Sequence, residues 1–190
     1  MARLAIALEV SSHLGRREIL FIVSFFMGNV PMNEPSPIIF CELDEIPSNH
    51  PVAVFARRWF AMAVNGRPPP WSMFDAIDHP SLLPWILLMR PNGDGGFYYA
   101  VAGTGCEEIY GLRFQGKPFG EGLPADAIED RLDEFDATAA AGKPLFSSTR
   151  LPVENKSWIE VCRGVFPFLS ANGSVERMLV IVSPVEQRLD

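Results

Sequence analysis

Apolar and polar positions recur with two different periods along this chain, and the period indicates which element each segment forms. From Pro51 to Val64 apolar residues recur every three or four positions, which is typical of an amphipathic helix. A proline in the first turn and Asn65-Gly66 at the end fit the limits of such a helix. The apolar side chains of this predicted helix are Val52, Phe55, Trp59, Phe60 and Ala63.

A second, longer helix is predicted to begin at Pro124 and to end at Gly142, which is followed by Pro144. Its predicted buried stripe advances in steps of four, three and four residues and consists of Ile128, Leu132, Phe135 and Ala139. The acidic side chains around the stripe are predicted to face solvent, and they are Asp126, Glu129, Asp130, Asp133 and Glu134.

Five segments predict β-strands. The first lies within the apolar run from Leu82 to Met89, and an Asn- and Gly-containing loop separates it from a second strand at Phe97 to Val101. Three more strands are predicted from Leu145 to Leu151, from Trp158 to Phe168 and from Glu176 to Val182. The turn-forming residues between the last two indicate a hairpin.

This order of elements predicts an α+β fold in which one antiparallel sheet carries the helical middle of the chain on one face. We assign residues 51–185 to the domain and residues 186–190 to a C-terminal tail. Residues 1–50 are interpreted as an N-terminal extension or arm, because closely spaced prolines before His50 prevent any long regular element there.

The N-terminal arm contains a nine-residue apolar run, Ile19 to Met27. A membrane-spanning helix needs about 20 apolar residues, so no membrane span is predicted. The residues after the run make a poor signal-peptide cleavage site, which argues against export. Met32 is interpreted as the natural start of the chain, and whether residues 1–31 belong to the natural protein stays open.

Composition and charge narrow the class of protein. A hydrophobic share of 48% with 14 Phe predicts a folded core. The formal charge of -7, without a cluster of Lys and Arg, argues against nucleic acid as a partner. Cys41, Cys106 and Cys162 are widely spaced, with no zinc-binding pattern around them, and are interpreted as reduced thiols of a cytoplasmic protein.

The sequence shows no constellation of catalytic residues. It has no nucleophile next to a basic His and no metal-ligand cluster. The segment from Gly111 to Lys117 superficially resembles a phosphate-binding loop, but Pro118 stands where a magnesium-binding hydroxyl residue would be needed. We therefore expect a binding protein rather than an enzyme.

Several short motifs occur in a characteristic order between Val52 and Val182. They are Trp59 in the first helix, Gly66 with Pro69, Asp78-His79-Pro80, Leu83-Pro84, Gly103-Thr104 and Gly116-Lys117. Together with the element order, they resemble a family of small bacterial proteins in which a PAS domain makes up nearly the whole chain. The resemblance implies a five-stranded antiparallel sheet with helices on one face, preceded by the amphipathic helix, and a role in sensing and signal transduction.

A PAS domain usually holds its ligand between the inner face of the sheet and the helical segment. The residues that the resemblance and the polar pattern place at such a site are Phe97, Tyr99, Tyr110, Phe135, Arg150, Trp158, Arg163 and Phe166. Arg150 and Arg163 lie on predicted neighbouring strands, which suggests an anionic ligand. The same aromatic residues would also serve as ordinary core, and the arginines would also serve in surface ion pairs.

The identity of a cofactor is left unknown, although two known PAS cofactors are disfavoured. Haem would need a His on the long helix, which has none between Pro124 and Gly142. Flavin photochemistry would need an Asn-Cys-Arg-like motif, whereas Cys106 is followed by two carboxylates that would raise its pKa.

Two functions therefore remain open. The chain is either a sensor that binds a small molecule and signals to a separate protein partner, or a constitutive interaction module with a filled core. The N-terminal helix is predicted to pack on the sheet or against a second copy in a homodimer, with Val52, Phe55, Trp59 and Phe60 as the interface residues.

Overall fold

The fold is that of a computed structural model, which describes residues 37–94 and 96–189. The predictions for the apolar run at 19–27 and for a start at Met32 fall outside these residues. The strands are β1 (Ile39–Phe40), β2 (Ile86–Pro91), β3 (Phe97–Ala102), β4 (Leu145–Arg150), β5 (Glu160–Leu169) and β6 (Val175–Pro184). The helices are α1 (Pro51–Met62), α2 (Thr104–Tyr110) and α3 (Ala125–Ala141). Short 3-10 helices lie at Leu43–Glu45, Trp71–Met73, Ala76–Asp78 and Leu83–Trp85.

The strands form one sheet in the order β1-β4-β5-β6-β2-β3, and every neighbouring pair is antiparallel. β5 and β6 form the predicted hairpin, with Val165 opposite Val180. The α+β class is confirmed. The predicted number of strands was too small, because β1, in the part of the proline-rich arm that the structure describes, pairs with the edge of β4.

The sheet is covered on both faces. We call the face under α1 the outer face and the face under α2 and α3 the inner face. Because successive side chains of a strand point to opposite sides, β5 contributes Val161 and Val165 to the inner core but Cys162 and Phe166 to the outer core.

The outer layer is built by α1, which packs on β5 and β6. Val52, Phe55 and Trp59 are almost completely buried there. The Trp59 Nε1 donates a hydrogen bond to the Pro167 carbonyl oxygen at 2.9 Å, and the Phe55 and Phe166 rings meet edge to face at 4.7 Å. The sequence prediction that this helix packs on the sheet therefore holds.

The start of α1 is fixed by a buried histidine. His50 is the N-cap residue, and its Nδ1 accepts a hydrogen bond from the Val52 backbone N–H at 3.2 Å. The other ring nitrogen, Nε2, lies 3.0 Å from the Pro184 carbonyl oxygen. Because Nδ1 accepts, Nε2 carries the proton, so the ring is neutral and joins α1 to the end of β6.

The inner layer begins at the Gly103-Thr104 step between β3 and α2. A Cβ atom on Gly103 would lie 2.3 Å from the Leu83 carbonyl oxygen, closer than any real contact, so only glycine fits. The Gly103 N–H donates to the Ile86 carbonyl oxygen at 2.7 Å. This close approach holds the start of α2 against the segment that precedes β2.

Several predicted boundaries differ from the structure, and β5, for example, begins at Glu160 rather than at Trp158. β2 begins at Ile86 rather than at Leu82, because Pro84 lies in the 3-10 helix Leu83–Trp85. The first helix ends at Met62 rather than at Val64. Among residues 37–94 and 96–189, no helix is long and apolar enough to cross a membrane.

Candidate ligand site

An enclosed cavity of about 20 Å³ lies in the inner layer, between the sheet and the helices. Its wall is mainly apolar, with Leu87, Val180 and Phe135 among its residues. Four polar side chains also line it, namely Tyr99, Tyr110, Arg131 and Arg163. The volume is close to that of one water molecule, for which about 10–15 Å³ on this measure is enough.

A buried cluster of charges adjoins the cavity. The Glu134 Oε2 accepts hydrogen bonds from Arg163 Nη2 at 2.8 Å and from Arg131 Nη1 at 3.1 Å. The Ser147 hydroxyl donates to the Glu134 Oε1 at 2.6 Å. The Glu134 side chain is 1% exposed, and the two arginine side chains are 6% and 5% exposed. We call these four residues the charge cluster.

The charge cluster joins three elements. Arg131 and Glu134 are one helical turn apart on α3, where residues three positions apart are neighbours. Arg163 on β5 lies directly opposite Ser147 on β4. Any change in these contacts therefore acts on the position of α3 relative to the sheet.

The arginines keep the Glu134 carboxylate ionised. Burial by itself raises the pKa of Glu134, but the two guanidinium groups and the Ser147 hydroxyl outweigh it and hold that pKa below its usual range. Arginine side chains stay protonated in proteins. With two positive side chains and one negative one, the charge cluster carries a net charge of one positive unit.

One donor of the charge cluster is not satisfied. The Arg163 Nε is buried and has no hydrogen-bond partner among the residues that the structure describes. Most buried polar groups in proteins are hydrogen-bonded, and an isolated exception calls for an explanation. Arg163 lines the cavity, so the residue with the unsatisfied donor borders this space.

Two tyrosine side chains line the cavity. Burial raises the pKa of Tyr99, with a further contribution from Tyr110. The Tyr99 ring packs on Phe114, with a centroid distance of 4.8 Å, and the Tyr110 ring packs on the same phenylalanine at 5.2 Å. Aromatic packing thus fixes two rings that line the cavity, and each ring carries a hydroxyl group that can donate a hydrogen bond.

The structure brings together half of the predicted ligand residues. Tyr99, Tyr110, Phe135 and Arg163 line the cavity. Phe97 packs edge to face on Phe135, at a centroid distance of 5.5 Å, and supports the wall from behind. Whether these residues bind a ligand stays a prediction.

The other three predicted ligand residues lie elsewhere. Arg150 is exposed at the end of β4 and pairs with Glu160 at 3.4 Å. Trp158 is 76% exposed in the loop before β5. Phe166 is fully buried, but in the outer layer, because it stands an odd number of positions from Arg163 on the same strand.

Three residues of the charge cluster were missed by the sequence analysis. The buried residues of α3 are Ala127, Arg131, Glu134, Phe135 and Thr138. Most of the stripe therefore lies one position before the predicted one, and Leu132 is exposed whereas Glu134 is buried. The spacing of Arg131 and Glu134, which suits a helical ion pair, was the signal available in the sequence.

The residues predicted for a dimer interface are mostly used inside the chain. Val52, Phe55 and Trp59 are buried between α1 and the sheet. Phe60 is 47% exposed and packs edge to face on Trp59, with a centroid distance of 5.3 Å. A contact of Phe60 with a second copy stays a prediction.

The cysteines are free thiols. Cys106 is completely buried, and burial, more than the neighbouring Glu107, raises the pKa of its thiol. The sequence analysis expected the direction of this shift but assigned it to the carboxylates. In the described part of the chain, no three His, Cys, Asp or Glu side chains are grouped as metal ligands.

Neither a protein-family model nor a curated protein matches this sequence. The solved structures similar to it include a sensory box sensor histidine kinase from Vibrio cholerae, with 19% identity, a TM-score of 0.42 and coverage of 57% of this chain and 84% of that one. Another is an RNA-binding light-oxygen-voltage receptor, with 15% identity and a TM-score of 0.43 over 65% of this chain and 37% of that one. Similarities at this level say nothing about the function of this chain, and its α+β fold rests on the strand pairing described above.

Proposed function

We propose that this chain is a PAS-type sensory or regulatory module, rather than an enzyme, which binds a small molecule in the inner cavity and transmits binding to a partner protein. One observation carries the proposal: an enclosed cavity between sheet and helices, with four polar side chains converging on it. Small-molecule sites are typically mostly apolar with a few placed polar groups.

The charge cluster supplies a physical route from the cavity to the surface. Arg163 touches the cavity and also bonds to Glu134 of α3. A ligand that binds Arg163 competes with Glu134 for the guanidinium group. It would thereby weaken the ion pair that joins α3 to the sheet. The opposite side of α3 is exposed and acidic, with Glu129 and Asp133 in solvent. A partner that binds this surface would sense a movement of the helix.

A constitutive interaction module is the second candidate. The size of the cavity favours it, because about 20 Å³ holds one or two water molecules or a compact ion, but no metabolite of ordinary size without movement of the wall. In this case the charge cluster would only fix the packing of α3. Partner binding would then be independent of any small molecule.

Native mass spectrometry and an absorption spectrum distinguish the two candidates. The protein would be purified without refolding, so that a tightly bound molecule stays in place. A bound mass or a chromophore supports the sensor and also tests the expectation that haem and flavin are absent. A clean protein mass, together with partner binding unchanged by dialysis, would contradict the sensor and support the interaction module.

A further inference from the structure

The buried charges of the inner layer do not balance. Arg131 and Arg163 share a single carboxylate, Glu134, and all three side chains are at most 6% exposed. Asp130 also interacts with Arg131, but it is exposed on α3, where water screens its charge. One positive charge is therefore left without a buried partner, which is costly in a protein interior.

The polar groups at the cavity are mainly donors. The Arg163 Nε carries an N–H without an acceptor in the described residues, and the hydroxyls of Tyr99 and Tyr110 can each donate. The carboxylate oxygens of Glu134 already accept three hydrogen bonds from Arg131, Arg163 and Ser147. The residues that line the cavity thus carry several donors and an excess positive charge, which is the environment that suits an anion.

The size of the cavity limits the anion. About 20 Å³ accommodates a group of roughly one or two water molecules in size. We infer that the inner cavity is a site for one compact monovalent anion, of the size of chloride or formate, held by Arg163 with Arg131 and the tyrosine hydroxyls. This inference rests on the proposed function and gives the chemical class of its ligand.

Formate and formamide form a matched pair of probes, because they have nearly the same size and only formate is charged. The protein would be kept in sodium gluconate, whose anion is too large for the cavity, and sodium formate would replace it at constant ionic strength. We expect a saturable rise in the melting temperature and saturable binding by calorimetry with formate, and neither with formamide. Chloride in place of formate tests the smaller anion.

The variant Arg163→Lys tests whether formate binds in the cavity. Lysine keeps the positive charge near Glu134 but lacks the Nε donor of the guanidinium, so formate affinity should fall at least tenfold. Arg150→Lys on the neighbouring strand is the matched control, since Arg150 is exposed, and it should leave formate affinity unchanged. Tyr99→Phe, which removes only one hydroxyl, gives a second test if Arg163→Lys does not fold.

The outcomes separate this inference from the proposed function. Equal stabilisation by formate and formamide, or unchanged formate affinity in both Arg163→Lys and Tyr99→Phe, overturns the anion site. A neutral molecule that co-purifies in the cavity also overturns it, while the sensor proposal stands. Failure of every anion together with a clean native mass overturns both.

Discussion

The two faces of one sheet carry interiors of different kinds. The outer layer is closed by aromatic and aliphatic side chains, with Trp59, Phe55 and Phe166 in direct contact. The inner layer also has an apolar core, but it contains the charge cluster and an enclosed cavity. Both layers use the same strands, since alternate residues of β5 point to opposite faces.

This difference suggests separate roles for the two layers if the proposed function holds. Apolar burial stabilises a fold without requiring any particular partner atom. A buried ionic cluster is at best weak support for stability, because desolvation of the charges offsets their attraction. We therefore interpret the outer layer as the stabilising half of the domain, and under the proposed function the inner layer would be the half that responds to a ligand.

Removing a large side chain from the outer layer should cause the largest loss in the free energy of unfolding. Trp59→Ala removes a 1%-exposed ring and its hydrogen bond to Pro167, and we expect a loss of about 3–5 kcal/mol in the free energy of unfolding. Urea denaturation followed by circular dichroism measures it. The neighbouring Phe60→Ala, at a half-exposed position, should cost less than about 1 kcal/mol. Equal losses in the two variants would contradict the assigned burial of Trp59.

Removing the negative charge from the charge cluster should cause the second largest loss in the free energy of unfolding. Glu134→Gln keeps the shape and an acceptor for Ser147 but leaves two buried guanidinium groups without a counter-charge. We expect a loss of about 3 kcal/mol in the same urea measurement. Glu129→Gln on the exposed side of α3 is the control and should change little. A Glu134→Gln variant as stable as the parent would show that the cluster is solvated.

The two layers should also differ in the pH dependence of their stability, and this effect is expected to be smaller than that of either substitution. Burial lowers the pKa of His50, although its bond to Pro184 opposes the shift. The unfolded chain then takes up a proton more readily than the folded one, so stability at the base of α1 falls as the pH drops below about 6.5, the ordinary pKa of histidine.

The pKa of Glu134 is lowered as well, but in a separate and more acidic range. Its pKa is lowered in the folded protein, so its contribution is present above the unfolded value of about 4.3 and is lost as the pH falls further, through the folded pKa. Melting temperatures across this range should show two acid steps. His50→Asn, which keeps an N-cap side chain, should remove only the upper step. Persistence of that step in the variant would assign it to another group.

The smallest effect is expected at the surface end of β4. Arg150→Ala removes an exposed pair with Glu160 and should change the free energy of unfolding by less than about 1 kcal/mol. The same urea titration measures it. A larger loss would mean that Arg150 has a structural role that its exposure does not suggest.

Much of the fold was predictable from periodicity. The positions of α1, α3 and the β5–β6 hairpin follow from local patterns, although their limits shift by up to two residues. β1 was not predictable, because two residues in a proline-rich segment show no period. Its formation depends on β4, more than 100 residues later in the chain.

The site was predictable only in part. The odd spacing of Arg163 and Phe166 could already have shown that they do not share a face. Glu134 was different, because an acidic residue on a helix is ordinarily solvent-exposed. Its burial depends on Arg163, a residue 29 positions away that also fixes the rotation of α3. Local hydrophobicity contains no information about such a partner.

The pairing of β1 also has a consequence for assembly. β1 pairs with the outward backbone of β4 at Ser147 and Ser148, and at the opposite end of the sheet Gly116, Lys117 and Phe119 form backbone hydrogen bonds with Tyr99 and Phe97 of β3. In the described part of the chain, the outward backbones of β4 and β3 are thus partly occupied by segments of their own chain. Extending the sheet with a strand from another molecule would require displacing one of them. Self-association or partner binding is therefore expected to proceed through side chains on the helical surfaces.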